Sequence, residues 1–362
     1  MLNPSEKLVK AAKVVLKEVL NVKKGERALI IANPKKDSLE ISQALYQAFI
    51  ESDALPTLML QPVKSSFDYM NLEVRAAIAS APQIVCSISH ERLGKDPIYL
   101  KEPQLSSDGK KYDNIFEFLL AEKKIRGFWS PGITKKIFTE TVLINYEKLK
   151  QRCSLTKDFL SGASEVKIQT LKGTNFIFSI EGRSVKVDDG DFSEFGKGGN
   201  LPAGEIFVSP VVGSSKGVLI IDGSISMEKT VLLKSPVKIE VENGYIKKIS
   251  GGSEAETLKR LIKKASIQPY KLAENGVLSK DKALEYSRNA MHIGEFGLGL
   301  NDKAKIVGNV LEDEKVLGTI HIAIGSNYDE DAQALIHYDC VIKKPSVFID
   351  GKPLMKNGEL MV

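Results

Sequence analysis

The sequence predicts an α/β N-terminal domain, a parallel sheet with flanking helices, followed by an α+β, mostly antiparallel, β-rich C-terminal catalytic domain. Three observations predict this. Up to about residue 150, apolar runs of strand length alternate with helical stripes, the pattern of a parallel sheet covered by helices. Beyond about residue 155, strand-like segments follow one another through tight Gly-containing turns that leave no room for crossover helices. At 362 residues the chain is also longer than one hydrophobic core usually supports. The expected domains are residues 1–155 and 156–362.

Along the first domain, "SEKLVKAAKVVLKEVL" places Leu8, Val9, Ala12, Val15, Leu16 and Leu20 on one helical stripe. "RALIIAN" is a short continuous apolar run suited to a strand covered on both faces. "DSLEISQALYQAFIES" opens a helix with Asp37 or Ser38 as its cap. "LPTLMLQP" reads as a strand, "LEVRAAIASA" as a helix and "QIVCSIS" as a strand. "NIFEFLLAEKK", "IRGFWS" and a helical "TKKIFTETVLINYEKLKQRC" complete the domain. In the second domain, "SEVKIQTLKGTNFIFSIEGRSVKVDDGD", "KGVLIIDGSISM" and "PVKIEVENGYIKKISGG" read as a meander, with a hairpin turn at Asn243–Gly244. "SEAETLKRLIKKAS" is a helix capped by Ser253, and "GTIHIAIGS", "IHYDCVI" and "SVFIDGKPLMKNGELM" return to strands.

Composition narrows the class of function. A net charge of +5 is mild, and the lysines occur as scattered doublets rather than as a basic stripe with interleaved aromatics, so no nucleic-acid partner is expected. No apolar run approaches the ~20 residues of a membrane helix, and the charged N-terminus does not resemble a signal peptide; the expectation is a cytoplasmic protein without a membrane partner. Cys86, Cys153 and Cys340 are odd in number and widely spaced, which argues against a disulfide framework or a zinc knuckle.

The chemistry concentrates in the second half. Three of the four histidines fall between 292 and 337. His321 lies in the strand-like "TIHIAIG", and His337 and Asp339 are two apart, so in a strand they share a face. Glu295 sits in "MHIGEFGLGLN" amid glycines and apolar residues, where an unpaired carboxylate would cost several kcal/mol. Glu205 is delivered by the Gly/Pro-punctuated "GGNLPAGEIFVSP", and Glu314 lies in "LEDEKVLGTIH". Four carboxylates and two neutral imidazoles sum to −4, the charge that balances two divalent cations, and mixed ligands of this kind suit zinc, manganese, cobalt or iron. "DDGDFSEFGKGGN" lacks the spacing of a calcium or phosphate loop and reads as a polar loop at the mouth of the site; His90 and His292 read as structural, with His292 a candidate support for Glu295.

In order, "GNLPAGEIFVSP", "GEFGLGLN", "DEKVLGTIHIAIGSNY" and "HYD" resemble the signature segments of the thermophilic metalloaminopeptidases (aminopeptidase T and aminopeptidase S, leucyl aminopeptidase-like). The resemblance implies a hydrolase that removes N-terminal residues from peptides with a free N-terminus, a homodimer, and two divalent metal ions per chain (zinc, cobalt or manganese). It implies metal ligands at Glu205, Glu295, Glu314, His321, His337 and Asp339, with Glu295 bridging the ions. Glu295 and Glu314 are then the candidate proton carriers, and Tyr328 a hydrogen-bond donor to the tetrahedral intermediate. The chain departs from the pattern between Glu314 and His321, where it is about two residues longer, and between Tyr328 and His337, where it is shorter. The same superfamily also resembles a ring-cleaving dihydroxypyridine dioxygenase with one iron held by two His and one Asp, a plan that His321, His337 and Asp339 satisfy. Retention of the three glutamates favours the two-metal aminopeptidase, which is the expectation carried forward.

Overall fold

Arg27–Ala32 is buried at every residue after the first, as a strand sandwiched between helix layers requires. It is the fourth strand of a parallel five-stranded sheet ordered Gly198–Asn200, Arg126–Trp129, Ile84–Ile88, Arg27–Ala32, Leu55–Leu60. Helices Glu6–Val14, Lys36–Glu51, Leu72–Ala79 and Ile115–Ala121 supply the covering layers. These elements belong to the first of two compact units in a computed structural model that describes residues 4–65 and 67–362. The units are Met1–Lys150 with Asp188–Ala203, and Gln151–Val187 with Gly204–Val362. The first three residues of the N-terminal stretch therefore lie outside the described residues. Within the first unit Arg126, 2% exposed, grips Glu26 through both guanidinium ends at 2.8 and 2.7 Å and donates through Nε to the Leu20 carbonyl.

Local chemistry explains where this unit departs from the sequence reading. The long helix expected from "TKKIFTETVLINYEKLKQRC" is two, Lys135–Glu140 and Tyr146–Leu160, because the Asn145 side chain accepts the Lys148 N–H and starts a new helix. Helix Lys36–Glu51 begins before Asp37 and Ser38; the Ser38 hydroxyl instead accepts the Asn33 N–H and donates to the Ile88 carbonyl. The glycines ending "DDGDFSEFGKGGN" form the edge strand Gly198–Asn200 of the first unit's sheet rather than part of a polar loop.

The second unit stacks an eight-stranded and a seven-stranded antiparallel sheet. Their facing aromatic side chains meet at Phe178 and Phe296, ring centres 5.3 Å apart. Asn243 and Gly244, with φ of 50° and 80°, make the expected hairpin turn. Helix Ser253–Glu274 has Gly252 rather than Ser253 at its cap; the Ser253 hydroxyl donates to Glu254. Helix Lys280–Asn289, capped by Ser279 Oγ accepting the Lys282 N–H, is an addition to the sequence reading. The fold is thus an α/β parallel-sheet region with an antiparallel, β-rich remainder, as the sequence predicts. No described helix is long and apolar enough to cross a membrane.

Four adjacent strands of the seven-stranded sheet bear the acidic and imidazole side chains: His337–Lys343, Thr319–Gly325, Ile293–Gly299 and Glu205–Val208. Register pairs Asp339 with Ala323, His321 with Gly297, and Phe207 with Gly297. Paired residues share a face, and so do residues two apart. Glu205, Glu295, His321, His337 and Asp339 therefore project from one face, while Ile206, Phe296, Leu298, Ile320, Ile322, Ile324 and Ile342 fill the buried core behind it.

Candidate metal centre

Glycines make the room on this face. A Cβ on Gly297 would lie 2.0 Å from His321 Nε2, so only glycine lets the imidazole fold across its neighbouring strand. A Cβ on Gly299 would lie 2.2 Å from the Val316 carbonyl oxygen and 2.7 Å from the Lys315 carbonyl carbon. That gap lets the segment after the short helix Val310–Asp313 run against the sheet, bringing Glu314 and Lys315 to the same face. Asn301 N donates to the Lys315 carbonyl at 2.8 Å and pins the segment there.

Two groups of side chains result. In the first, Glu295, His321 and Asp339 each offer a ligand atom, all within 4.8 Å of one another. His321 Nε2 is 2.9 Å from Glu295 Oε1, while His337 Nε2 is 3.1 Å from Glu295 Oε2 and 3.2 Å from Asp339 Oδ1. Neighbouring donors on an octahedral ion with bonds of ~2.1 Å lie about 3.0 Å apart, so the 3.2 Å between His337 Nε2 and Asp339 Oδ1 fits a shared ion, with Glu295 beside them. His337 Nδ1 lies 2.9 Å from the Ser326 carbonyl, which takes its N–H and leaves Nε2 to face the cluster. Ser226 Oγ donates to Asp339 Oδ2 at 3.0 Å and accepts the Asp339 N–H at 2.8 Å, fixing that carboxylate.

The second group is a lysine between two glutamates. Lys315 Nζ donates to Glu205 Oε1 at 2.6 Å and Glu314 Oε1 at 2.5 Å, and its side chain has no exposed surface. Glu205 Oε2, buried and without a hydrogen-bond partner, faces the first group 3.6 Å from His321 Nε2.

The electrostatics separate the two groups. Desolvation would raise Glu295, but His321 and His337 hold it below the ordinary carboxylate range. Asp339, although desolvated, is likewise held well down, chiefly by His337. Burial disfavours charge on His321, yet Glu295 lifts it to about 9; His337 is raised well above its ordinary value by Asp339 despite the same desolvation. Glu205 and Glu314 instead go up, Glu205 to about 8, because burial outweighs the opposing pull of Lys315.

All six carboxylate and imidazole residues singled out from the sequence thus lie around one patch of sheet, but not as one ligand set. Tyr328 stands beside it with its ring 5.3 Å from His337 and 4.9 Å from Phe207. His292 is apart, buried against Tyr245 with Nδ1 3.4 Å from the Gly325 carbonyl, and burial lowers it to about 4; His90 belongs to the first unit. Sequence reasoning missed Lys315 and Ser226. Lys315 directly follows Glu314 and carries no signal separating it from the solvent lysines; Ser226 is a short polar residue in an otherwise ordinary strand.

Residues 140–362, more than half of the chain, match the family model described as NicX: 2,5-dihydroxypyridine 5,6-dioxygenase. The chain belongs to this family. It is similar to the 2,5-dihydroxypyridine 5,6-dioxygenase of Pseudomonas putida (strain KT2440), 22% identical over 216 residues that cover 59% of this chain and 58% of that protein, less than two thirds of its length. Among solved structures, a 2,5-dihydroxypyridine dioxygenase from Pseudomonas putida KT2440 superposes with a TM-score of 0.74, at 17% identity and 99% coverage of both chains. Wild-type AmpT from Thermus thermophilus shares the fold with a TM-score of 0.63, at 18% identity, covering 98% of this chain and 99% of that one.

These findings correct the functional expectation. The aminopeptidase resemblance extends to the fold, whereas the family is that of the NicX dioxygenases, so the assignment as a hydrolase, aminopeptidase or metalloprotease acting on peptides is withdrawn. A buried site able to hold a metal is present. The expected pair of zinc, cobalt or manganese ions is not supported: the charge count behind it omitted Lys315, which engages two of the four carboxylates.

Proposed function

We propose that this chain is a single-metal dioxygenase that opens a dihydroxylated pyridine ring, with iron held by His321, His337 and Asp339. The observation that carries the reading is the convergence of two imidazole Nε2 atoms and the Asp339 carboxylate beside Glu295, at spacings of 2.9 to 3.2 Å. Two histidines and one carboxylate with open positions are the donor set of non-haem Fe(II) oxygenases. Bound Fe(II) supplies the redox chemistry and coordination positions that dioxygen requires. The name of the matched family supplies the substrate class, and one ring plus one O2 gives a product containing both oxygen atoms, so no external reductant enters.

The chain's own groups prepare the substrate. Glu295 lies within reach of both imidazoles and accepts the proton of a ring hydroxyl as that oxygen turns to the site. Tyr328 and Phe207, ring to ring at 4.9 Å, form an aromatic wall beside His337 against which a planar heterocycle packs.

The test is oxygen uptake by chain loaded anaerobically with Fe(II), using 2,5-dihydroxypyridine and 18O2. One O2 consumed per ring, with both labelled atoms in the product, is expected. An iron-loaded chain that consumes no oxygen with hydroxylated pyridines overturns the reading. Glu295→Gln is expected to retain iron and lose turnover.

A further inference from the structure

We infer that Lys315 is a built-in cation: its ammonium fills the second cation position of the cluster, limits the chain to one divalent ion, and leaves a latent second metal position where it is removed. The inference rests on the single-metal reading for where the first ion sits. The second position is argued from Lys315 itself.

Three observations carry it. Lys315 Nζ lies 2.6 and 2.5 Å from oxygens of Glu205 and Glu314, and its side chain is fully buried, so the two carboxylates already hold a cation shielded from water. The backbone that carries the ammonium is fixed: the Lys315 N–H donates to the Glu312 carbonyl at 3.0 Å, and the Lys315 carbonyl accepts from Asn301 at 2.8 Å. Glu205 faces both ways, with Oε1 on the ammonium and the buried, unpartnered Oε2 turned toward His321. It therefore links two adjacent cation positions, one held by a side chain and one bounded by imidazoles.

Charge agrees with this. In the deprotonated state that metal binding requires, the four carboxylates carry −4 beside neutral imidazoles, and one divalent ion with Lys315 brings the sum to −1. A second divalent ion added while Lys315 remains would give a buried excess of positive charge, and the ion would need the same Glu205 and Glu314 oxygens at ~2.0–2.2 Å. Removing the amine frees both carboxylates and restores the balance for two ions.

The experiment is Co(II) stoichiometry on folded protein, by elemental mass spectrometry after gel filtration and by calorimetric titration. The wild-type chain is expected to saturate at one Co(II), Lys315→Arg at one, and both Lys315→Ala and the near-isosteric Lys315→Met at two. The added ion should be lost again in Lys315→Met combined with Glu314→Gln. Two Co(II) in the wild-type chain would overturn the inference without need of any variant. One Co(II) in folded Lys315→Ala and Lys315→Met would also overturn it, and would leave the single-metal reading standing. A wild-type chain that binds no Co(II) and no Fe(II) would sink the functional reading and this inference together.

Discussion

Replacing Gly297 by alanine separates the steric argument for the metal centre from ordinary strand chemistry. In a strand interior, alanine in place of glycine normally stabilises by ~0.5–1 kcal/mol, so the expected sign here is the reverse. The new methyl carbon would sit 2.0 Å from His321 Nε2 and 2.1 Å from its Cε1, against about 3.4 Å for an ordinary contact. The ring must therefore retreat by about 1.4 Å, while metal sites tolerate roughly 0.2 Å in ligand position. Retreat is blocked, because His321 is 1% exposed and Glu295 lies 2.9 Å from the same nitrogen. Overpacking of this kind costs about 1–3 kcal/mol. Displacing a ligand should weaken metal binding at least as much as the ~10–100-fold caused by losing an outer hydrogen-bond partner. Urea unfolding of the metal-free chain measures the first effect and Fe(II) or Co(II) titration the second. An alanine variant as stable as wild type, with metal affinity within threefold, would refute the placement of His321.

Two further outcomes follow from the same geometry. Ser226→Ala removes both hydrogen bonds to Asp339, with an expected loss of about 1–2 kcal/mol in stability and ~10-fold in metal affinity; Ser226→Thr should recover most of each in thermal melts and titrations, and failure of that rescue would remove Ser226 from the site. Because His321 is raised to about 9 and His337 well above its ordinary value, the metal-free chain keeps both rings protonated near neutrality. An incoming ion should then expel close to two protons, seen by calorimetry in buffers of different ionisation enthalpy, with apparent affinity rising from pH 7 toward 9. Both folded-state values lie above the ordinary ~6.5 of an unfolded histidine. Their stabilisation of the metal-free fold is thus complete below that pH; the His321 part is lost as pH rises through about 9, and the His337 part is likewise lost only above the ordinary histidine range. Release of less than one proton would contradict these ionisation states.

Much of this architecture is written locally. "RALIIAN" and "QIVCSIS" are strands because continuous apolar runs need covering on both faces, and Asn243–Gly244 is a hairpin turn because both residues adopt positive φ. His337 and Asp339 share a face because a strand's period is two. What was not legible depends on distant partners. Gly198–Asn200 becomes a strand only by pairing with Arg126–Trp129, each residue meeting a partner 71 positions earlier in the chain. Lys315 differs from the other lysines only because Gly299 lets its backbone descend onto the sheet. The glycines in "GEFGLGLN" were visible, but what each makes room for depends on the register with "TIHIAIG". Six acidic and imidazole residues on one patch suggested two metals; a cation supplied by the chain has no spacing rule by which to announce itself.

The alternation along Ile293–Gly299 ties the chemistry to the fold's own arithmetic of odd and even positions. Glu295, Gly297 and Gly299 face the donors, while Phe296 and Leu298 face the hydrophobic interior. Sliding this strand by a single residue would put Phe296 among the imidazoles and press Glu295 into the apolar layer behind. The donor set consequently cannot drift by small insertions, as a site on loops can, without dismantling the sandwich. Change is confined to exchanging one side chain for another at a fixed address, and the difference between an ammonium and a second ion is an exchange of that kind.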